Sequence, residues 1–316
     1  MPVSKEEAGG ADMAEAGIQL YTLRDIDEPL SSILTRVAAA GFAGVEFAHR
    51  VREEDPEEIK QALDRTGLVP IGAHIELSTL ESEYDSLLAH YEMIGCRNLI
   101  LPHISYRHFI TMVDIERLRN DIEILADDLE EQGFNLSFHN TRESLLPPMD
   151  TILSSRLPWI DRTPASGWEG MASLMRRNGG PLSIDQFYRS GLGRLLDGMQ
   201  DRSISIELDI KHATAAGFDP PMLMDAIGSN LEFIHIADIA RTRRIPPRFE
   251  SVDPGTGMVD IPASIDAGLV SNARWLIYEH DHPDDPYTAL ERGAQVMSNV
   301  IDISHHATQL GSISHR

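Results

Sequence analysis

The stretch Ile204-Ser205-Ile206-Glu207-Leu208-Asp209-Ile210-Lys211-His212 decides the fold. A β-type apolar run reaches Leu208, a carboxylate closes it at Asp209, and His212 follows. The same arrangement recurs along the chain. Phe134-Asn135-Leu136-Ser137-Phe138 leads to Glu143, Leu231-Glu232-Phe233-Ile234 to His235, and Trp275-Leu276-Ile277-Tyr278 to Glu279. Three carboxylates and one imidazole at the ends of successive strands converge only if those strands are parallel and closed into a ring. This predicts an α/β protein, a (β/α)8 TIM barrel, with a divalent-metal site at its carboxyl-terminal mouth.

Strand-like and helix-like segments alternate through most of the chain. Strands are expected at 18–21, 44–47, 69–75 and 98–101 ahead of the four just quoted, which brings the total to the number that closes a barrel. Between them, Leu30, Ile33, Leu34 and Val37 recur at helical spacing before Gly41, and Pro56 opens a second helix that ends at Gly67. Further helices are expected at 84–94, 114–131 and 183–199. The expected organisation is a flexible tail over 1–16, one barrel over 17–300 and a C-terminal tail over 301–316. An insertion over 145–180, rich in proline and glycine, follows the fifth strand and reads as a lid over the mouth.

The 316 residues suffice for one such barrel, and no apolar run is long enough to span a membrane. Residues 1–17 lack the basic start and apolar centre of a secretory signal. Cys96 is the only cysteine, so no internal disulfide forms; it reads as a structural thiol in a cytoplasmic protein. The net charge of −23 opposes binding to nucleic acid or anionic membrane. Only Lys5, Lys60 and Lys211 are lysines, and excess carboxylate with scarce lysine resembles proteins of salt-loving, halophilic organisms.

The chemistry sits at the strand ends. His49, His74, His103, His139, His212, His235 and His280, seven of the 13 histidines, all follow or close an expected strand and so should line the mouth. Glu143, Asp209, His235 and Glu279 form a mixed oxygen and nitrogen set without thiolate, suited to one Mn²⁺, Mg²⁺, Co²⁺ or Zn²⁺ ion. A Lewis acid holding both oxygens of a hydroxy-ketone lowers the cost of forming an enediolate, and Glu143 and Glu279 are the candidate pair to move the proton.

These motifs together resemble the xylose isomerase-like barrel superfamily, in particular its sugar phosphate isomerase/epimerase branch, over about Gly17 to Val300. The residues that carry the likeness are His139-Asn140-Thr141-Arg142-Glu143, Asp209-Ile210-Lys211-His212 with Gly217-Phe218-Asp219-Pro220, and His235-Ile236-Ala237-Asp238. Gly255-Thr256-Gly257-Met258-Val259-Asp260 and Glu279-His280-Asp281 complete it. The resemblance implies Glu143, Asp209, His235 and Glu279 as metal ligands, Glu143 and Glu279 also as the acid–base pair, and His212 and Arg241 as substrate-binding residues; His74 and His139 join them from the mouth lining. The chain departs from the pattern at Ala237, where one subgroup has lysine, and at His139, where many relatives place the strand-five glutamate. No glycine-rich phosphate cradle with a lysine is present, and Arg241, Arg243 and Arg244 either bind an anionic group or form a solvated loop.

The expected function is a metal-dependent isomerase or epimerase of a sugar, keto-sugar or polyol-derived substrate. The alternative is a dehydratase of the inosose or 3-dehydroshikimate type. An endonuclease IV-like repair enzyme is disfavoured by charge, and a non-catalytic barrel by the complete ligand set. The partner is a small sugar-like molecule, and relatives in the resembled family are often dimers or tetramers.

Overall fold

The computed structural model describes residues 14–48, 50–148, 181–199, 204–243 and 248–302. Eight strands close a parallel barrel in the order β1-β2-β3-β4-β5-β6-β7-β10. They are β1 (Glu15–Gln19), β2 (Gly44–Phe47), β3 (Val69–His74), β4 (Asn98–Leu101), β5 (Asn135–His139), β6 (Ile204–Asp209), β7 (Leu231–Ile236) and β10 (Trp275–Tyr278). Ring closure is made by β1 with β10, where Ile18 registers with Tyr278. Strand β1 starts at Glu15, earlier than the sequence reading placed it.

Each strand is buried on both faces, one toward the barrel axis and one toward the helices, which is why these segments read as apolar runs rather than clean alternations. The helices are α1 (Leu30–Ala39), α2 (Pro56–Thr66), α3 (Leu77–Ser82), α4 (Tyr84–Ile94), α5 (Met112–Glu131), α6 (Ile184–Phe187), α7 (Gly191–Asp197), α8 (Ile210–Ala216), α9 (Pro220–Ile227), α10 (Ile261–Leu269) and α11 (Pro286–Val296). Their ends follow local chemistry. Asp55 accepts a hydrogen bond from the Glu57 N–H ahead of Pro56, and Gly67 ends α2 in the left-handed region at φ 74°. The single helix expected over 183–199 is two short ones. Ser190 caps the second by accepting from Gly193 N–H, and the chains approach so closely that a Cβ on Gly193 would lie 2.1 Å from the Phe187 carbonyl oxygen.

Two further strands, β8 (Asp238–Arg241) and β9 (Phe249–Val252), form an antiparallel hairpin beside the mouth. Residues 149–180 of the expected insertion, the tails over 1–13 and 303–316, His49 and Arg244 lie outside the described residues. Among the described residues no helix is long and apolar enough to cross a membrane.

The barrel floor is apolar: Ile71, Phe233, Trp275 and Ile277 pack as one cluster. Gly17 makes room for it, since a Cβ there would lie 2.3 Å from Ile71 Cδ1. Above that floor the interior turns polar, and the two-residue period of a strand sets the layers. Along β6, Ser205, Glu207 and Asp209 share the inward face. Ser205 Oγ meets Ser137 Oγ at 2.6 Å, Glu207 enters a carboxylate–imidazole cluster, and Asp209 reaches the mouth.

Cys96 is fully buried, with its thiol donating to the Asn98 carbonyl, and burial pushes it up to about 12. The native protein should therefore resist maleimide, because the thiolate is the reactive form. Labelling should appear only in denaturant; rapid labelling of the native fold would place Cys96 at the surface.

Candidate metal centre and active-site mouth

Two tiers of polar side chains meet at His235. The lower tier is Gln19 on β1, Glu46 on β2, His74 at the end of β3, Glu207 on β6 and His235 on β7. His74 Nε2 lies 3.0 Å from Glu46 Oε1 and 2.8 Å from Glu207 Oε2. His235 Nε2 lies 3.0 Å from Glu46 Oε1 and 3.1 Å from Glu207 Oε1. Gln19 Nε2 donates to Glu46 Oε1 from the neighbouring strand. The upper tier is His139, Asp209, Lys211, His212, Glu279 and Asp281. His235 Nδ1 faces Glu279 Oε2 at 3.3 Å, and His139 Nε2 is 3.6 Å from Asp209 Oδ2.

Local structure fixes Asp209. It is the N-cap of α8, and its Oδ1 accepts from the backbone N–H groups of Lys211 and His212. Asn140 holds its backbone on both sides, accepting from Asp209 N–H and donating to Asp209 O. Asp209 Oδ2 therefore points into the barrel, buried and without a hydrogen bond, toward Lys211, His139 and His212. Lys211 is buried too. Its Nζ donates to Glu279 Oε2 at 2.6 Å and Asp281 Oδ1 at 2.8 Å, and lies 3.3 Å from Asp209 Oδ2.

Electrostatics follow from this crowding. Burial opposes the charged form of Glu46, but the His74 and His235 imidazoles overcome it and hold the carboxyl well below its usual range. Burial likewise opposes charge on His74, and Glu46 and Glu207 outweigh it, raising the imidazole to about 10. Burial also opposes the Lys211 ammonium, while Asp209, Glu279 and Asp281 keep it charged. For His212 burial wins and lowers the imidazole.

A pH prediction follows for the metal-free protein. The folded-state value of His74 is raised, so its stabilisation is fully present below 6.5 and is lost as pH rises toward about 10. Denaturant midpoints of chelated protein should fall across that window, and a His74→Gln variant should show a shallower fall. An equal slope in both would remove His74 as the source.

Above both tiers opens a cavity of about 470 Å³ whose lining includes Tyr21, His74, His139, Lys211, His212 and Glu279. Of the residues nominated from sequence, the structure thus brings together His74, His139, Asp209, His212, His235 and Glu279. Glu143 is half-buried in the turn after β5 and does not line the cavity; neither it nor Glu279 belongs to a candidate ligand group, but Glu279 lines the cavity and lies 3.3 Å from His235 Nδ1. Arg241 is exposed at the end of β8, also away from the lining. His103 is exposed, and His280 packs against Asp253, with its Nε2 3.4 Å from Oδ1. Asp238 is structural: its buried carboxylate accepts from the backbone N–H groups of Ile239, Gly255, Gly257, Met258 and Val259, which accounts for the Gly255–Gly257 turn. Glu46, Glu207 and Lys211 were not among the nominated site residues. The signal for the glutamates is their place on inward positions of strands buried on both faces.

The residues present fit a divalent ion. Glu46, His74, Glu207 and His235 form one group whose ligand atoms lie within 4.8 Å of one another, and His139, Asp209 and His235 form another. Buried atoms without hydrogen bonds, among them Glu46 Oε2, Glu207 Oε1, Asp209 Oδ2, His139 Nδ1 and His235 Nδ1, belong to the same residues.

Fold and site together define a (β/α)8 barrel with a candidate divalent-metal cluster of glutamate, aspartate and histidine. The chain is similar to the probable 3-DHS dehydratase AsbF involved in petrobactin synthesis from Bacillus anthracis, at TM-score 0.63 and 12% identity, covering 90% of this chain and 98% of that one. It is similar to a sugar phosphate isomerase/epimerase from Parabacteroides distasonis ATCC 8503, at TM-score 0.59 and 15% identity, covering 94% and 96%. It is also similar to the IOLI protein with a bound zinc atom, at TM-score 0.61 and 13% identity, covering 92% and 99%. At these identities the likeness is one of fold. No protein-family model and no curated protein matches the sequence.

Proposed function

We propose that the protein is a divalent-metal-dependent enzyme that isomerises or epimerises a sugar, keto-sugar or polyol-derived substrate, moving a proton at the carbon beside a carbonyl. The observation that carries this reading is the convergence of His139, Asp209, His235 and Glu279 from four adjacent barrel strands beneath a cavity of about 470 Å³, large enough for a small sugar.

Asp209, His235 and Glu279 would hold the ion, with His139 in the strand-five place for which the sequence nominated Glu143. A bound Mn²⁺, Mg²⁺, Co²⁺ or Zn²⁺ supplies Lewis acidity toward the carbonyl and its neighbouring hydroxyl. With Glu279 among the ligands, Lys211 would keep Asp281 as partner, and its ammonium would donate to a substrate oxygen. Glu279 takes the proton from carbon. His212 faces the same cavity, and its lowered basicity leaves it neutral and able to accept a proton at neutral pH, which it can hand back only after taking one up. We give it the acid–base place that the sequence reading assigned to Glu143. His74 and Tyr21 contact the rest of the substrate.

The dehydratase reading uses the same proton abstraction and then expels a β-hydroxyl; likeness to a 3-DHS dehydratase keeps it in view. A panel of ketoses, 3-dehydroshikimate and inososes, assayed with each metal in high-salt buffer, separates the two. A product of equal mass supports isomerisation, and loss of water supports dehydration. A metal-loaded protein that converts no member of the panel would count against both.

A further inference from the structure

The lower tier is placed differently from the mouth and asks for a separate explanation. Its carboxylates are fully buried, as is His235, while the His74 side chain is 13% exposed. Each imidazole Nε2 faces both carboxylates at once: 3.0 and 2.8 Å for His74, 3.0 and 3.1 Å for His235. A ring N–H points along one line and serves one acceptor well. Two nitrogens each nearly equidistant from the same two carboxylates instead surround a common centre, as ligands do. Glu46 Oε2 is buried with no hydrogen bond, and Glu207 Oε1 faces only His235 Nε2, 3.1 Å away and already bonded to Glu46 Oε1, so a purely proton-bridged quartet leaves acceptors short of donors. It would also stack two imidazolium rings with centroids 5.5 Å apart and planes 18° from parallel, like charge on like charge.

We propose that Glu46, His74, Glu207 and His235 form a second, enclosed divalent-cation site beneath the mouth, taking zinc or cobalt in tetrahedral N2O2 coordination. Two nitrogen and two carboxylate donors without thiolate, converging from four strands, suit those ions. Four protein ligands fill a tetrahedral shell and so mark a structural site, with only the outer edge of His74 reaching the cavity; the open coordination that substrate needs belongs to the mouth. His235 joins the two tiers, presenting Nε2 below and Nδ1 toward Glu279 above. The carboxylates carry two negative charges, which a divalent ion balances with His74 neutral; with the mouth loaded as well, His235 would release its remaining ring proton to solvent and bridge the two ions as an imidazolate. Gln19 holds Glu46 from the adjacent strand and so orients this ligand.

The test is Co²⁺ titration of the chelated full-length protein, read by metal content and by the visible d–d absorption of tetrahedral cobalt. Wild type should bind two ions per chain. Glu207→Gln should lose one ion and the tetrahedral band, whereas Asp209→Asn should keep that band and lose the other ion. Anomalous diffraction from cobalt-loaded wild-type crystals needs no variant and should show a peak between Glu46, Glu207 and the two Nε2 atoms. One ion per chain, abolished by Asp209→Asn and untouched by Glu207→Gln, would overturn the second site while leaving the mouth reading intact. Density at the mouth alone would do the same. A deep peak with an empty mouth would support this site and count against the proposed catalytic one.

Discussion

Glu279→Gln is expected to lower turnover by roughly 10²–10⁴-fold, the usual contribution of a general acid–base group, while the barrel stays folded. Glu279 leaves β10 at the barrel mouth, 3.3 Å from His235 Nδ1 and 2.6 Å from Lys211 Nζ. Burial opposes its charge, but Lys211 and His235 hold it ionised well below the usual carboxylate range. The amide keeps the shape and removes the base. Because Glu279 is also a proposed ligand, the variant must be assayed with its metal content measured and restored. The loss should appear equally in net conversion and in exchange of substrate hydrogen with solvent. Wild-type exchange by metal-loaded Glu279→Gln would remove Glu279 as the base and pass that role to His212 or His139.

The largest expected stability effect lies at a residue that touches no substrate. Asp238 Oδ1 accepts from Ile239, Met258 and Val259 N–H, and Oδ2 from Gly255 and Gly257 N–H. Removing the carboxylate strands the buried Ile239 and Val259 N–H groups and hands the more accessible Gly255, Gly257 and Met258 N–H groups to water, so Asp238→Ala should cost about 3 kcal/mol. Asp238→Asn retains one acceptor oxygen but turns an NH2 toward two N–H groups, so it should lie between the two. The β8–β9 hairpin that Asp238 anchors also touches the mouth, since Asp281 N–H donates to Ser251 Oγ. Hydrogen exchange should therefore quicken at Gly255–Val259 first and at the end of β10 next. Denaturant midpoints within error of wild type would show that water replaces the carboxylate at no cost.

Much of this architecture was legible because parallel barrel strands are short apolar runs with a polar residue at the carboxyl end. Asp209, His235 and Glu279 announced the mouth in that way, and His139 was visible as a strand end. Glu46 and Glu207 were harder to read because they sit within strands. There a charged residue is informative only once the inward face is known, and in strands buried on both sides hydropathy does not mark that face. Lys211 stood out by rarity, but its partners Glu279 and Asp281 lie 68 and 70 residues away, and nothing local pairs them. Glu143 looked like a strand-end glutamate at an offset. The chain after His139 instead folds back through Thr141 and Ser144, whose hydroxyls each accept from the other's backbone N–H, and Glu143 sits inside that turn. The hairpin around Arg241 carries no strand pattern of its own in the sequence, because its order comes from Asp238.

The most direct test of the account is solvent-deuterium incorporation by protein of known metal content, incubated in D2O with ketoses and inososes that are then recovered and weighed by mass spectrometry. Incorporation is expected at the carbon beside the carbonyl for at least one substrate, lost on chelation, restored by the returned ion and absent from Asp209→Asn. Equal incorporation by chelated protein, or none into any substrate by protein carrying its full metal complement, would contradict it.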